Sequence, residues 1–156
     1  MTVSSDSEDS KTTQTECAHG PIPAGIWRLN QGRSKLPSPK ALTLWIIRND
    51  DQELVWVAVE TTPQESNRIV TWKGRYDGSP GTCTDAAIRA RLTSAARNGI
   101  HTEGEFSGIG TFSEVCTLDA DGRRMVCRGQ VRTASGSQTY VEDFDWVGPS
   151  PHEPAL

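Results

Sequence analysis

The sequence predicts an all-β fold, an antiparallel up-and-down barrel of about eight to nine strands, and three observations carry that prediction. First, Thr111–Val147 reads TFSEVCTLDADGRRMVCRGQVRTASGSQTYVEDFDWV, three runs of two-residue alternation parted by Asp121-Gly122 and Ser135-Gly136. Second, Leu42–Arg48 and Glu53–Glu60 make another apolar hairpin around Asn49-Asp50-Asp51-Gln52. Third, outside one ambiguous stretch the chain has neither helical periodicity nor an internal repeat. Consecutive hairpins close most economically into a barrel, which leaves no open sheet edge. A two-sheet sandwich is the alternative.

Asp121-Gly122 suits a type I′ turn, where both central residues need positive φ. With that turn Cys116 faces Cys127 and Leu118 faces Met125. Ser135-Gly136 as the next turn sets Cys127 against Phe144, Gly129 against Glu142 and Val131 against Tyr140. Both registers give one inward face: Phe112, Cys116, Leu118, Met125, Cys127, Val131, Tyr140, Phe144 and Trp146, with Glu114, Gly129 and Glu142 among them. A slip of one residue would exchange this face for the polar one, so the faces are well specified.

The 156 residues suffice for one domain with its own core. Residues 1–23 are Ser, Thr, Asp and Glu rich and read as a disordered tail; 24–147 form the barrel; 148–156 are a Pro-rich tail. Ala24–Asn30 is the first strand, and Pro37 and Pro39 keep Gln31–Lys40 irregular. In the hairpin that follows, Leu42, Leu44 and Ile46 meet Val59, Val57 and Val55, while Trp45 faces Trp56 on the other side. Two apolar sides need two covers, which leaves room for a homodimer. Ile69–Tyr76 is a strand ended by Asp77–Gly81. Asp85–Gly99 has a helical spacing of Ile88, Leu92, Ala95 and Ala96, yet the all-β surroundings favour a strand over Ala86–Thr93 with Ile88, Ala90 and Leu92 inward. That strand would turn at Arg97-Asn98-Gly99 into Ile100–Phe106.

Composition excludes several functions. A net charge of −4 argues against nucleic acid as a partner, and the arginines at 124, 128 and 132 lie opposite Asp143 and Asp145 as an ion-paired outer face. No run approaches the ~20 apolar residues of a membrane span, and the first residues lack the apolar region of a secretory signal, so a cytoplasmic location is expected. Cys17, Cys83, Cys116 and Cys127 have no metal-ligand spacing, and no metal or cofactor is expected. Cys116 and Cys127 fall at a hydrogen-bonded pair with Cα atoms about 5.5 Å apart; geometry allows a bridge, but a reducing compartment favours two buried thiols. His19 and His152 lie in the tails, and His101 points outward if Phe106 points in.

Gly25-Ile26-Trp27 resembles the G-x-W signature of lipocalins, in which the Trp plugs the closed end of the barrel. The run GIWRLNQGRSKLPSP, with Tyr76-Asp77-Gly78 and Asp121-Gly122 later, resembles a group of small bacterial lipocalin-like proteins. The resemblance implies structural roles for Gly25 and Trp27 and an interior cavity for one small ligand, and it supports the strand reading of 86–93.

The cavity's candidate groups come from the inward face. Glu114 and Glu142 flank Gly129, whose missing side chain leaves open volume between them; Phe106, Phe112, Cys127, Tyr140 and Phe144 would line it. Burial raises a carboxyl pKa, and two coupled acids can share a proton, one as acid and one as base. The plain alternative places both glutamates in water at the barrel mouth, or paired with Arg28 or Arg91. The expected function is binding of a small, largely apolar molecule; the alternative is a cofactor-free cyclase or isomerase holding a reactive conformer in the same cavity, with Glu114 and Glu142 catalytic.

Overall fold

The computed structural model describes residues 22–64, 67–93 and 99–149. The expected tails, with Cys17, His19 and His152, fall wholly or largely outside these, as do Arg97 and Asn98 of the expected turn. Ten antiparallel strands form one sheet: β1 (Gly25–Leu29), β2 (Ala41–Asn49), β3 (Glu53–Thr61), β4 (Arg68–Arg75), β5 (Thr82–Cys83), β6 (Ile88–Thr93), β7 (Gly99–Phe106), β8 (Gly110–Leu118), β9 (Arg124–Thr133) and β10 (Gly136–Gly148). Their order is β5-β4-β3-β2-β1-β10-β9-β8-β7-β6. The ends nearly meet: Pro80 bridges Arg91, and the Gly81 N–H donates to the Ala90 carbonyl at 2.9 Å. The result is an up-and-down, nearly closed barrel. Its tenth strand is the two-residue β5, which folds back on Trp72 and Lys73 after the turn that ends β4.

Ile88–Thr93 is a strand paired with β7, with Leu92 fully buried, so the period-two reading prevails over the helical one. Neighbouring strands supplied the hydrogen-bond partners that an isolated helix does not need. Among the described residues no helix is long and apolar enough to cross a membrane.

At the end where β1 begins, the barrel is solid. Trp27 is wholly buried among Ile22, Ile46, Leu54, Met125 and Phe144, its Nε1–H donating to the Pro23 carbonyl at 3.2 Å. Gly25 has φ of +139°, and a Cβ there would lie 2.3 Å from Trp146 Nε1, so only glycine fits. Asn49 and Tyr76 close the same end: Asn49 Nδ2 donates to the Ile22 carbonyl at 2.7 Å, and the Tyr76 hydroxyl donates to Asn49 Oδ1.

Two registers differ from expectation. Between β9 and β10, Cys127 pairs with Glu142, Gly129 with Tyr140 and Val131 with Gln138, a shift of two residues that leaves each side chain on its expected face. Between β2 and β3 the shift is one residue, with an irregularity between Ile46 and Arg48, so Ile46 pairs with Trp56 and Trp45 with Val57. An odd shift exchanges faces, so Trp45 and Trp56 point opposite ways and Trp56 turns inward. Both sides of β3 are apolar (Leu54, Trp56, Ala58 against Val55, Val57, Val59), so hydrophobic pattern cannot set its register.

The β8–β9 register is as expected, but its turn is not type I′. Among the described residues of this loop only Gly122 has positive φ, +70°, and the Gly122 N–H closes on the Asp119 carbonyl at 3.1 Å. The Asp119 N–H donates to the Arg124 carbonyl at 2.9 Å, and stepping back by pairs makes Cys116/Cys127 a non-hydrogen-bonded pair, where strands lie closer. Their Cα atoms are 3.9 Å apart and the two cysteines are disulfide-bonded, not free thiols.

Candidate functional site

At the opposite end the barrel is hollow. A cavity of about 410 Å³ is walled by Leu42, Leu44, Trp56, Trp72, Phe106, Phe112, Val131 and Phe144, with Leu36 and Pro37 of the β1–β2 connection at its mouth. Each expected lining residue, Phe106, Phe112, Cys127, Tyr140 and Phe144, is on this wall, as are Glu114 and Glu142. Alternation puts them there: in-phase positions of four neighbouring strands converge on one concave surface.

Two rows of the sheet organise the polar groups. One runs Thr102–Glu114–Gly129–Tyr140 across β7 to β10, the next Ile100–Cys116–Cys127–Glu142. Gly129 does not leave open volume, because the Tyr140 ring lies across it: a Cβ there would meet Tyr140 Cζ at 2.2 Å and its hydroxyl at 2.3 Å. The ring thereby spans the gap, and its hydroxyl donates to Glu114 Oε2 at 2.6 Å. Glu114 Oε1 is 3.3 Å from Cys116 Sγ, a contact without a proton since that sulfur is in the disulfide.

Glu142 pairs with neither Arg28 nor Arg91. Arg28 is exposed on the outer face, and Arg91 pairs with Glu103 at 3.0 Å. The partner is Lys40, whose Nζ is 3.1 Å from Glu142 Oε2, although that oxygen makes no well-angled hydrogen bond. Lys40 was overlooked because Pro37 and Pro39 mark its surroundings as loop. Its parity was readable nonetheless, since Lys40, Leu42, Leu44 and Ile46 share one side.

The electrostatics follow from shared burial. Glu114 is pushed up to about 7, first by burial and then by the Glu142 charge; the Tyr140 hydrogen bond and Lys40 oppose the rise. Tyr140 is held above its ordinary value by burial and by Glu114. Burial works against the Lys40 charge, but Glu142 and then Glu60 outweigh it and raise its pKa. Two further atoms of lining residues are buried without a hydrogen-bond partner, Trp72 Nε1 and Thr102 Oγ1. Orphaned polar atoms are rare inside proteins.

Glu114, Cys116 and Cys127 place ligand-type atoms within 4.8 Å of one another, but two sulfurs bonded to each other are not thiolate ligands. A larger, more open hollow of about 650 Å³ lies on the outer surface over β6–β9, where Arg91 pairs with Glu103 and Arg89 with Glu105, and Arg132 also lines it. Beside it His101 faces outward as expected, with Nε2 3.0 Å from Ser113 Oγ and Nδ1 2.7 Å from Thr93 Oγ1. A hydroxyl on Nδ1 in place of a carboxylate leaves this short of a nucleophile–base–acid arrangement. The chain matches no family model, no curated protein and no solved structure.

Proposed function

We propose that the protein is a lipocalin-like barrel that holds a small, largely apolar molecule in its interior. The observation that carries this is a cavity of about 410 Å³ with apolar walls and two unpartnered polar atoms, Trp72 Nε1 and Thr102 Oγ1, among its lining residues. Binding sites of this size are mainly apolar with a few placed polar groups that fix orientation. Native mass spectrometry of the purified protein tests it: a retained small molecule is the expected result, released when Phe112→Trp narrows the cavity. A second reading, a cofactor-free cyclase or isomerase, is favoured by one observation. Glu114, with its pKa near 7, sits among Tyr140, Glu142 and Lys40, the setting in which a carboxyl gives and takes protons at neutral pH. Under that reading Glu114→Gln abolishes turnover while the ligand still binds; under the first, affinity changes and there is no turnover to lose. The expected cytoplasmic location stands against the Cys116–Cys127 bond, since disulfides persist in oxidising compartments. Alkylation of freshly released protein, read by mass, decides between the two.

A further inference from the structure

The charges inside the cavity do not balance. Its lining contains two cations, and both are engaged: Lys40 with Glu142 and Arg68 with Asp85. Among the described residues, two lining carboxyls, Glu60 and Glu114, have no cation within ion-pair distance, and each feels Lys40 only from further off. Glu114 receives the Tyr140 hydroxyl on Oε2 and shares a carboxyl–carboxyl hydrogen bond with Glu142, so it has two acidic neighbours and no cationic donor of its own among the described residues. Directly across the ladder from Glu114 stands Thr102, more than nine-tenths buried, with its Oγ1 unpartnered. A carboxylate oxygen and a hydroxyl oxygen on adjacent strands are together acceptors for a group carrying several N–H donors. Around them stand the rings of Trp56, Trp72, Phe106, Phe112, Tyr140 and Phe144. Aromatic faces attract cations as well as apolar skeletons.

Building on the cavity reading above, we propose that the guest is a protonated amine on an apolar or aromatic skeleton, its ammonium held by Glu114 and Thr102. An oxygen acceptor on the skeleton would satisfy Trp72 Nε1. A carboxylate guest fits worse: it would have to take Lys40 or Arg68 from a partner each already has and sit beside three glutamates. The charged and titratable groups that line the cavity with Glu114 are Tyr140 and Glu142 from β10, Lys40 before β2, Glu60 from β3 and Arg68 from β4, and of these Glu142, Tyr140 and Lys40 act on its titration. Ionised Glu114 is the binding form, and its raised pKa means that an incoming ammonium expels a proton near neutrality.

Isothermal titration with 2-phenylethylamine, 2-phenylethanol and 3-phenylpropanoate, each in two buffers of different ionisation heat, tests this. The amine is expected to bind about tenfold tighter than the alcohol, a charge-assisted against a neutral hydrogen bond, and the anion weakest. Amine binding should release protons at pH 7 and strengthen from pH 6 to 8, while alcohol binding stays flat. Glu114→Gln should erase the amine's advantage over the alcohol. If that variant does not fold, proton release by the unaltered protein carries the test. An alcohol or anion bound as tightly as the amine overturns the amine assignment and leaves the cavity reading standing. If none of the three binds and nothing co-purifies, both fall together.

Discussion

Glu142 and Asp143 are consecutive on β10, both more than nine-tenths buried, and point to opposite faces of the sheet. Outside, Asp143 is saturated. Arg124 donates to it from Nε at 3.1 Å and Nη2 at 2.6 Å, Arg33 from Nε at 3.2 Å and Nη2 at 3.1 Å, and its own N–H donates to Ser34 Oγ. Burial works against its charge, but the two arginines outweigh burial and hold the carboxyl below its usual range. Inside, Glu142 has one ion-pair partner, Lys40, and its neighbour Glu114 has none among the described residues and a pKa of about 7. One strand thus carries an acid whose every lone pair is used for structure and another kept short of partners. Buried polar groups left short of partners are rare in native proteins, and here they share one cavity wall.

The sharpest way to break that contrast is Asp143→Ala. Removing one member of a buried ion pair costs about 3–5 kcal/mol, and because Arg33 and Arg124 are half exposed and can rehydrate, about 3 kcal/mol is expected. The urea midpoint should fall with the slope unchanged. The dependence on pH has a definite sign. A lowered carboxyl stabilises above its unfolded pKa near 3.8 and loses that contribution as pH falls through the folded value. The gap between the native protein and Asp143→Asn should therefore narrow in acid, and a gap constant from pH 7 to pH 2 would show that Asp143 is not charge-stabilised.

Next in size is the disulfide, which ties β8 to β9 in the same row as Glu142. The two cysteines are eleven positions apart in the chain. Closing a loop of that length restricts the unfolded chain by about 3 kcal/mol at most, and Cys116→Ala with Cys127→Ala should lose about 2–3 kcal/mol. An equal midpoint for oxidised and reduced protein would sink this.

Glu114→Gln should act in the opposite direction. Its folded pKa of about 7 exceeds the model-compound value of 4.5, so the fold holds the proton that the unfolded chain releases. Stability therefore falls as pH rises from 4.5 to 7 and is flat above. The span corresponds to about 3 kcal/mol as an upper bound, and hydration through the cavity brings the expected gain from a neutral amide to about 2 kcal/mol at pH 8. Near pH 4 the variant and the native protein should melt together. Under the binding reading proposed above, a substitution that stabilises the fold while weakening binding is the expected trade-off.

The inner face of β8, β9 and β10 was legible because it alternates against a polar outer face, and the two-residue error at Ser135-Gly136 moved pairs along the strand without turning any side chain over. β3 was not legible, because Val55, Val57 and Val59 are as apolar as Leu54 and Ala58 and nothing in the pattern penalises a one-residue slip. Trp56 and Glu60 were therefore absent from the expected cavity, though both line it. The disulfide was hidden one level deeper. The register of Cys116 against Cys127 was readable, but the hydrogen-bond parity depends on turn type, and Asp-Gly suggested type I′ where only the glycine is left-handed.

The smallest effect on stability belongs to Gly129→Ala, and it tests how the inner row is built. The three atoms nearest a Cβ at 129 all belong to the far end of the Tyr140 side chain, so the ring can swing aside instead of straining the sheet. What is lost is its hydrogen bond to Glu114, about 1 kcal/mol net. Tyr140→Phe removes the same bond by deleting the hydroxyl and leaving the ring. If glycine serves to seat the ring, the two substitutions remove one interaction twice, and the double variant should be no less stable than the worse single one. Both should also push Glu114 above 7, since the Tyr140 hydroxyl is the larger of the two influences that lower it, ahead of Lys40. Carboxyl carbon shifts followed by NMR against pH would show this. Additive losses, with Glu114 titrating unchanged in both, would mean that the ring and the acid are neighbours without being coupled.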